Sequence, residues 1–228
     1  MAALLAASTL AAPSAFAGVA DAIALLVLLA ELAMLRSALA RSQVRLYAFQ
    51  SLCVTGLALV LASVRHIPEA YAVAGISFVI KVVVIPVVVL RLLADVETEV
   101  SGSERLKVAS MTLIAIGVAG FGLFVLETLP VEPALPVTAL GLATAVVLVA
   151  FLLVILRGDV VSQAIGFFAL ENGVSVASLV LASRLPLLAE ITFLFDLLVA
   201  VVFFGVLVRV HHGRTRTLSS DVLDRLRG

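Results

Sequence analysis

Three ionisable side chains lie in the middle of long apolar segments: Lys81 in FVIKVVVIPVVV, Glu171 in VVSQAIGFFALENGVSVASLVL and Asp196 in LLAEITFLFDLLVAVVFFGVLV. A charged group at the centre of a bilayer costs from about 2.5 to more than 10 kcal/mol, so each needs a reason to be there. Burial disfavours the charged form of a carboxyl and of an amine alike, and a small change in neighbouring charge then loads or unloads a proton. These three residues are the candidate proton-transfer groups.

A structural alternative stays open for this set. Lys81 can pair with one carboxyl while the other stays protonated, and all three would then only hold helices together. A buried ion pair is a poor source of net stability compared with apolar packing, which favours a functional role. A carboxyl within about 6 Å of Lys81 would be held in its ionised form, whereas a distance of about 10 Å or more would indicate a separate relay through the third span.

Weaker polar candidates accompany the charged ones. Asn172 follows Glu171 directly, and Gln50 lies in RLYAFQSL. Both are predicted to support the site by hydrogen bonding between helices, with simple polar packing as the alternative. Asp21 and Glu31 lie near the ends of the first apolar segment, where a charged side chain can reach water at little cost in free energy. Both are interpreted as structural.

The elements that carry these residues are predicted to be membrane-spanning helices. Of 228 residues, 63% are hydrophobic and 13% are charged, against roughly half and a quarter in a soluble domain. The chain is therefore predicted to be an all-α, polytopic membrane helical bundle of about seven transmembrane helices, forming a single membrane domain over 1–228. The predicted spans are 17–35, 46–64, 70–92, 108–128, 135–156, 161–182 and 187–208.

Local features refine these spans. Pro86 cannot donate a backbone hydrogen bond to the carbonyl of residue 82, which predicts a kink beside Lys81. Small residues four apart, in 141–145 and 169–173, predict close helix packing. The first sixteen residues, MAALLAASTLAAPSAF, lack the basic start of a signal peptide and are expected to be an uncleaved extension of the first helix.

The distribution of basic residues predicts the orientation. With seven spans, twelve basic residues fall on the side of the C-terminus and two, Arg65 and Arg184, on the other. By the positive-inside rule the C-terminus is cytoplasmic and the N-terminus is outside. The twelve are Arg36, Arg41, Arg45, Arg91, Arg105, Lys107, Arg157, Arg209, Arg214, Arg216, Arg225 and Arg227.

Other chemistry finds little support in the sequence. The formal net charge is zero, so no basic surface suggests nucleic acid. Cys53 is the single cysteine and cannot supply the thiolates of an iron–sulfur cluster. His66 and the His211–His212 pair are not placed to ligate haem or a metal. No cofactor, metal site or catalytic residue is predicted, and the chain is expected not to be an enzyme itself.

Several motifs together resemble the hydrogenase-4 component E family. These are GFFALENG (166–173), Asp196 at the centre of the following span, the tail LSSDVLDRLRG, LYAFQSL (46–52) and Lys81 followed by Pro86. Members of that family are membrane subunits of formate-hydrogenlyase-type and other complex I-like assemblies. The resemblance covers roughly residues 40–228.

The last three spans are also similar to the K-type subunit of respiratory complex I, which has a membrane carboxylate in each of its last two helices. The similarity places these carboxylates at Glu171 and Asp196, the latter being Glu in the K-type subunit. It implies an N-terminal four-helix part, 1–134, and a K-type-like three-helix part with a cytoplasmic tail, 135–228.

The resemblance implies a non-catalytic membrane-arm subunit in the inner (plasma) membrane, with antiporter-like membrane subunits and a peripheral redox arm as partners. Its buried carboxylates and lysine would serve proton translocation or its coupling to redox chemistry on those partners. Two alternatives stay open. The chain could be an independent secondary transporter or a subunit of a cation/proton antiporter, or it could be a structural membrane adaptor.

Overall fold

The computed structural model describes residues 2–65, 68–93, 108–128 and 137–181, together with the single positions 198, 201 and 205. Every regular element in these ranges is a helix, which confirms the all-α prediction for this part of the chain. The helices are α1 (Ala2–Arg36), α2 (Ala40–Arg65), α3 (Pro68–Ser77), a π-helical segment (Phe78–Val84), α4 (Ile85–Leu92), α5 (Val108–Thr128), α6 (Val137–Leu156) and α7 (Val160–Leu181).

Six stretches of the described chain are long and apolar enough to cross a membrane, in agreement with the first six predicted spans. The third comprises the last turn of α3, the π-helical segment and nearly all of α4. The seventh predicted span, 187–208, and the tail lie outside the described residues apart from the three single positions. The six are Phe16–Arg36, Ala40–Val64, Ala74–Arg91, Ala109–Thr128, Val137–Leu156 and Val160–Val180.

Helix α1 begins at Ala2, so the predicted N-terminal extension continues into the first span as one helix. Helix α6 is the central element, packed against α5, α7 and α1, while α2 packs against α1, α7 and the third span. The π-helical segment and α7 both lie against α2, which brings Lys81 and Glu171 to the same side of that helix.

Glycines let α5, α6 and α7 approach closely. A Cβ on Gly122 of α5 would lie 2.9 Å from the Cα of Ala145 in α6. A Cβ on Gly173 of α7 would lie 2.9 Å from a methyl group of Val147. The small-residue spacing in 141–145 and 169–173 thus serves helix packing, as predicted.

A polar cluster closes one end of the bundle. The fully buried Arg157, after the last turn of α6, donates hydrogen bonds to the carbonyls of Leu35 and Ser37 at 2.7 and 2.8 Å. These carbonyls belong to the C-terminal end of α1, whose dipole favours a cation there. Ser162 of α7 donates to Gln43 of α2 at 2.8 Å, and the Gln43 amide donates to the carbonyl of Ser37 at 3.1 Å, so these contacts join the ends of α1, α2, α6 and α7.

The helix before Pro86 adopts π-helical geometry over Phe78–Val84, and the kink expected at Pro86 stays a prediction. Pro86 has no N–H for the carbonyl of Val82. The ladder instead widens, and the N–H of Ile85 bonds the carbonyl of Ile80, five residues back. A wider turn alters which side chains share a face, and Lys81 lies inside this segment.

Candidate functional site

Lys81 and Glu171 form a direct ion pair between the third span and α7. The Lys81 Nζ lies 2.6 Å from Oε1 of Glu171, and the two side chains are 1% and 11% exposed. The distance is far inside the 6 Å limit set above, so Glu171 is a partner of Lys81. A short N–H···O contact between ionised groups is among the stronger hydrogen bonds in proteins.

Ser175 forms hydrogen bonds with both members of this pair. Its hydroxyl donates to Oε1 of Glu171 at 2.7 Å and accepts from Lys81 Nζ at 3.2 Å. Glu171 and Ser175 are one turn apart on α7, so their side chains lie on the same face. Both donors reach the same carboxylate oxygen, while Oε2 is buried without a hydrogen-bond partner among the described residues.

The position of Glu171 follows from how α7 starts and packs. Asp159 caps the helix, because its Oδ1 accepts the backbone N–H of Ser162 at 2.7 Å. Gly166 and Gly173 then bring the helix against α6, where an added Cβ would lie 2.8 and 2.9 Å from valine methyl groups. Glu171 lies between these two close approaches, near the middle of the span.

A second polar cluster lies on the α1 side of α2. Gln50 donates to the carbonyl of Val27 at 3.2 Å and to Oε2 of Glu31 at 3.0 Å. Asn172 donates to Oε1 of Gln50 at 3.1 Å and to Ser51 Oγ at 2.9 Å. The orientation of the Gln50 amide is fixed, since a carbonyl such as that of Val27 can only accept.

Tyr47 lies between the two clusters. Its ring packs against Phe168 with centroids 5.6 Å apart, and its buried hydroxyl is within electrostatic reach of Glu171 and Ser51. The hydroxyl makes no hydrogen bond of good geometry to a described residue. The same is true of one oxygen each on Glu31, Asn172 and Glu171.

The structure brings four of the five predicted site residues into two adjoining contacts. Lys81 pairs with Glu171, and Gln50 pairs with Asn172, which follows Glu171 in sequence. The fifth, Asp196, lies outside the described residues. The two clusters hold acids, an amine and amides, which can store a proton and orient hydrogen bonds.

The expectation that Glu31 is solvated at the membrane interface is wrong, whereas its interpretation as a structural residue stays a prediction. The side chain is fully buried and bonded to Gln50, because α2 covers this part of α1. The sequence holds a partial signal: Val27, Glu31 and Leu35 repeat every four residues and share one buried face. Since α1 is apolar all round, hydropathy could not show which face is buried.

The chain is similar in sequence to a mycobacterial protein. It is 32% identical over 191 residues to "Uncharacterized protein Rv0085" of Mycobacterium tuberculosis, covering 82% of this chain and 84% of that protein. No protein-family model matches the chain, and no solved structure matches it. At this identity and coverage, the chain belongs to the same family as Rv0085.

Proposed function

We propose that the chain is a membrane-arm subunit of a complex I-like oxidoreductase of the hydrogenase-4 type, in which Lys81 and Glu171 take part in proton translocation or in its coupling to redox chemistry on partner subunits. The observation that carries the proposal is the buried 2.6 Å pair between these two side chains. The resemblance of LYAFQSL, the lysine–proline span and GFFALENG to component E subunits supports the choice of complex.

Lys81 and Glu171 lie on different helices, so a relative movement of these helices would change the distance between the two side chains. Lys81 belongs to a π-helical segment, a geometry frequent at functional sites, and Glu171 is anchored on α7. A charge that moves in a neighbouring subunit would favour either the paired state or a state in which Glu171 takes up a proton. The proposal includes Asp196 as a further carboxylate, seven spans, a cytoplasmic C-terminus and the inner membrane as location.

Glu171→Gln in the assembled complex tests the proposal. The amide keeps the shape but cannot ionise, so we expect normal assembly, slower turnover and fewer protons translocated per electron pair, measured in vesicles. Glu127→Gln is the matched control, because Glu127 is an exposed carboxylate at the end of α5 and should change nothing.

Each other outcome identifies a different function. Normal assembly with unchanged proton translocation in Glu171→Gln would reject the relay. Loss of assembly with unaltered coupling in the remaining complex would identify a structural adaptor. Cation-dependent proton exchange by the isolated chain in liposomes, without any redox partner, would identify a transporter.

A further inference from the structure

We infer that Glu31 is a second proton-holding site of this protein, and that Gln50, Asn172 and Tyr47 link it to Glu171 across α1, α2 and α7. The link to proton translocation rests on the function proposed above. The protonated state of Glu31 does not, since it follows from the surroundings of that side chain alone.

Glu31 has no compensating charge among the described residues. Glu31 is 0% exposed and has no ion-pair partner within that part of the chain. Its one hydrogen bond comes from the neutral Gln50 amide and reaches Oε2, which leaves Oε1 buried without a described partner. A buried carboxyl with so few donors is far better accommodated in its neutral, protonated form.

Ionisable groups on the neighbouring helices do not change this conclusion. Helix α6 carries none between Val137 and Leu156, and α5 carries only Glu127, at its far end. On α2, Arg41 and Arg45 are exposed, Cys53 is half-buried and Tyr47 is the buried group. Arg157, after α6, is bonded to the carbonyls of Leu35 and Ser37 at the end of α1, and Glu171 on α7 is paired with Lys81, so neither of them forms an ion pair with Glu31.

Amide side chains connect the regions of the two acids. Gln50 bonds Glu31 at 3.0 Å and Asn172 at 3.1 Å, and Asn172 is the chain neighbour of Glu171. Each of the residues Glu31, Tyr47, Asn172 and Glu171 also has one buried polar atom without a hydrogen-bond partner among the described residues. Buried polar groups are nearly always satisfied, and internal water bonded to two to four such atoms is the usual means. The amide pair holds α1, α2 and α7 together at this level.

The proton transfer is balanced in charge. Oε1 of Glu171 already accepts from Lys81 and Ser175, so Oε2 is the atom that can take a proton. One proton leaves Glu31 and one reaches Glu171 Oε2. The negative charge moves from α7 to α1, while Lys81 stays cationic and loses its counterion.

Infrared spectroscopy of the full chain in lipid tests whether Glu31 is protonated. At neutral pH the C=O band of a protonated carboxyl should be present and should lose intensity in Glu31→Gln. Glu127→Gln is the control, because Glu127 is an exposed carboxylate, and it should leave the band unchanged. Gln50→Leu removes the donor to Oε2 and should move the band to higher frequency. A band that is unchanged in Glu31→Gln would overturn the inference.

The same bands test the link. Glu171→Gln removes the negative charge of Glu171 and leaves Lys81 without its counterion, so Glu31 should ionise more readily if the two sites are linked. At a given alkaline pH its C=O band should be weaker in Glu171→Gln than in the wild type, and unchanged in Glu127→Gln. Equal bands in all three proteins would overturn the link. These measurements need no redox partner, so they separate failure of this inference from failure of the proposed function.

Discussion

Glu171 differs from an ordinary carboxylate because its two donors converge on one oxygen. Lys81 and Ser175 both bond Oε1, and Oε2 has no hydrogen bond from a described residue. Such asymmetry leaves one oxygen to bind the cation and the other to accept a proton. Removing Lys81 leaves a buried carboxylate without its counterion, and a buried carboxyl without a counterion is better accommodated in its protonated form.

Lys81→Met should therefore increase the fraction of Glu171 that is protonated at neutral pH, because the neighbouring cation is gone. We expect a new or stronger protonated-carboxyl C=O band in the infrared spectrum. Ser175→Ala removes only the neutral donor and should have a smaller effect.

A second substitution identifies which acid responds. In the Lys81→Met background, Glu171→Gln should abolish the new band, whereas Asp196→Asn should leave it. A band that survives Glu171→Gln but disappears with Asp196→Asn would show that Asp196 is the functional partner of Lys81.

Close packing at glycines determines how α5, α6 and α7 lie against one another, whereas the hydrophobicity of these helices does not specify their contacts. Gly122 faces the backbone of Ala145, so an added methyl group cannot be accommodated by rotating a side chain. Gly120, two residues earlier on α5, has no atom within 4 Å of a Cβ position. The two glycines provide a matched pair for testing this packing.

Gly122→Ala should lower the free energy of unfolding by about 1–3 kcal/mol, the usual cost of overpacking. Gly120→Ala should cause little loss. The measurement is reversible unfolding in mixed micelles followed by circular dichroism. Equal stabilities for the two variants would contradict the observed contact between α5 and α6.

Across the molecule, basic and polar groups gather at one end of the bundle. Arg157 follows α6 and binds the end of α1, next to the starts of α2 and α7. Arg36 is the last residue of α1, and Arg41 and Arg45 lie in the first two turns of α2. This grouping places four of the twelve basic residues counted above together, as a shared membrane side requires.

A reporter fused after Arg227 tests the proposed orientation. Seven spans with the basic end inside predict that alkaline phosphatase is inactive and green fluorescent protein is fluorescent at this position. A fusion within the connection at residues 37–39 should give the same result, because both lie on the basic side. An active phosphatase after Arg227 together with an inactive one at 37–39 would contradict the seventh span.

Hydropathy was sufficient to predict six spans, because crossing hydrocarbon requires about 20 apolar residues and satisfied backbone groups whatever the tertiary contacts are. It was also sufficient to single out Lys81 and Glu171, since charge at mid-depth is costly. It could not show which face of an apolar helix is buried, so the burial of Glu31 and its bond to Gln50 came only from the packing of α1 against α2. The choice of Glu171 as a partner of Lys81 was likewise decided by the π-helical turn before Pro86 and by the contacts of α7, both of which depend on residues far apart in sequence.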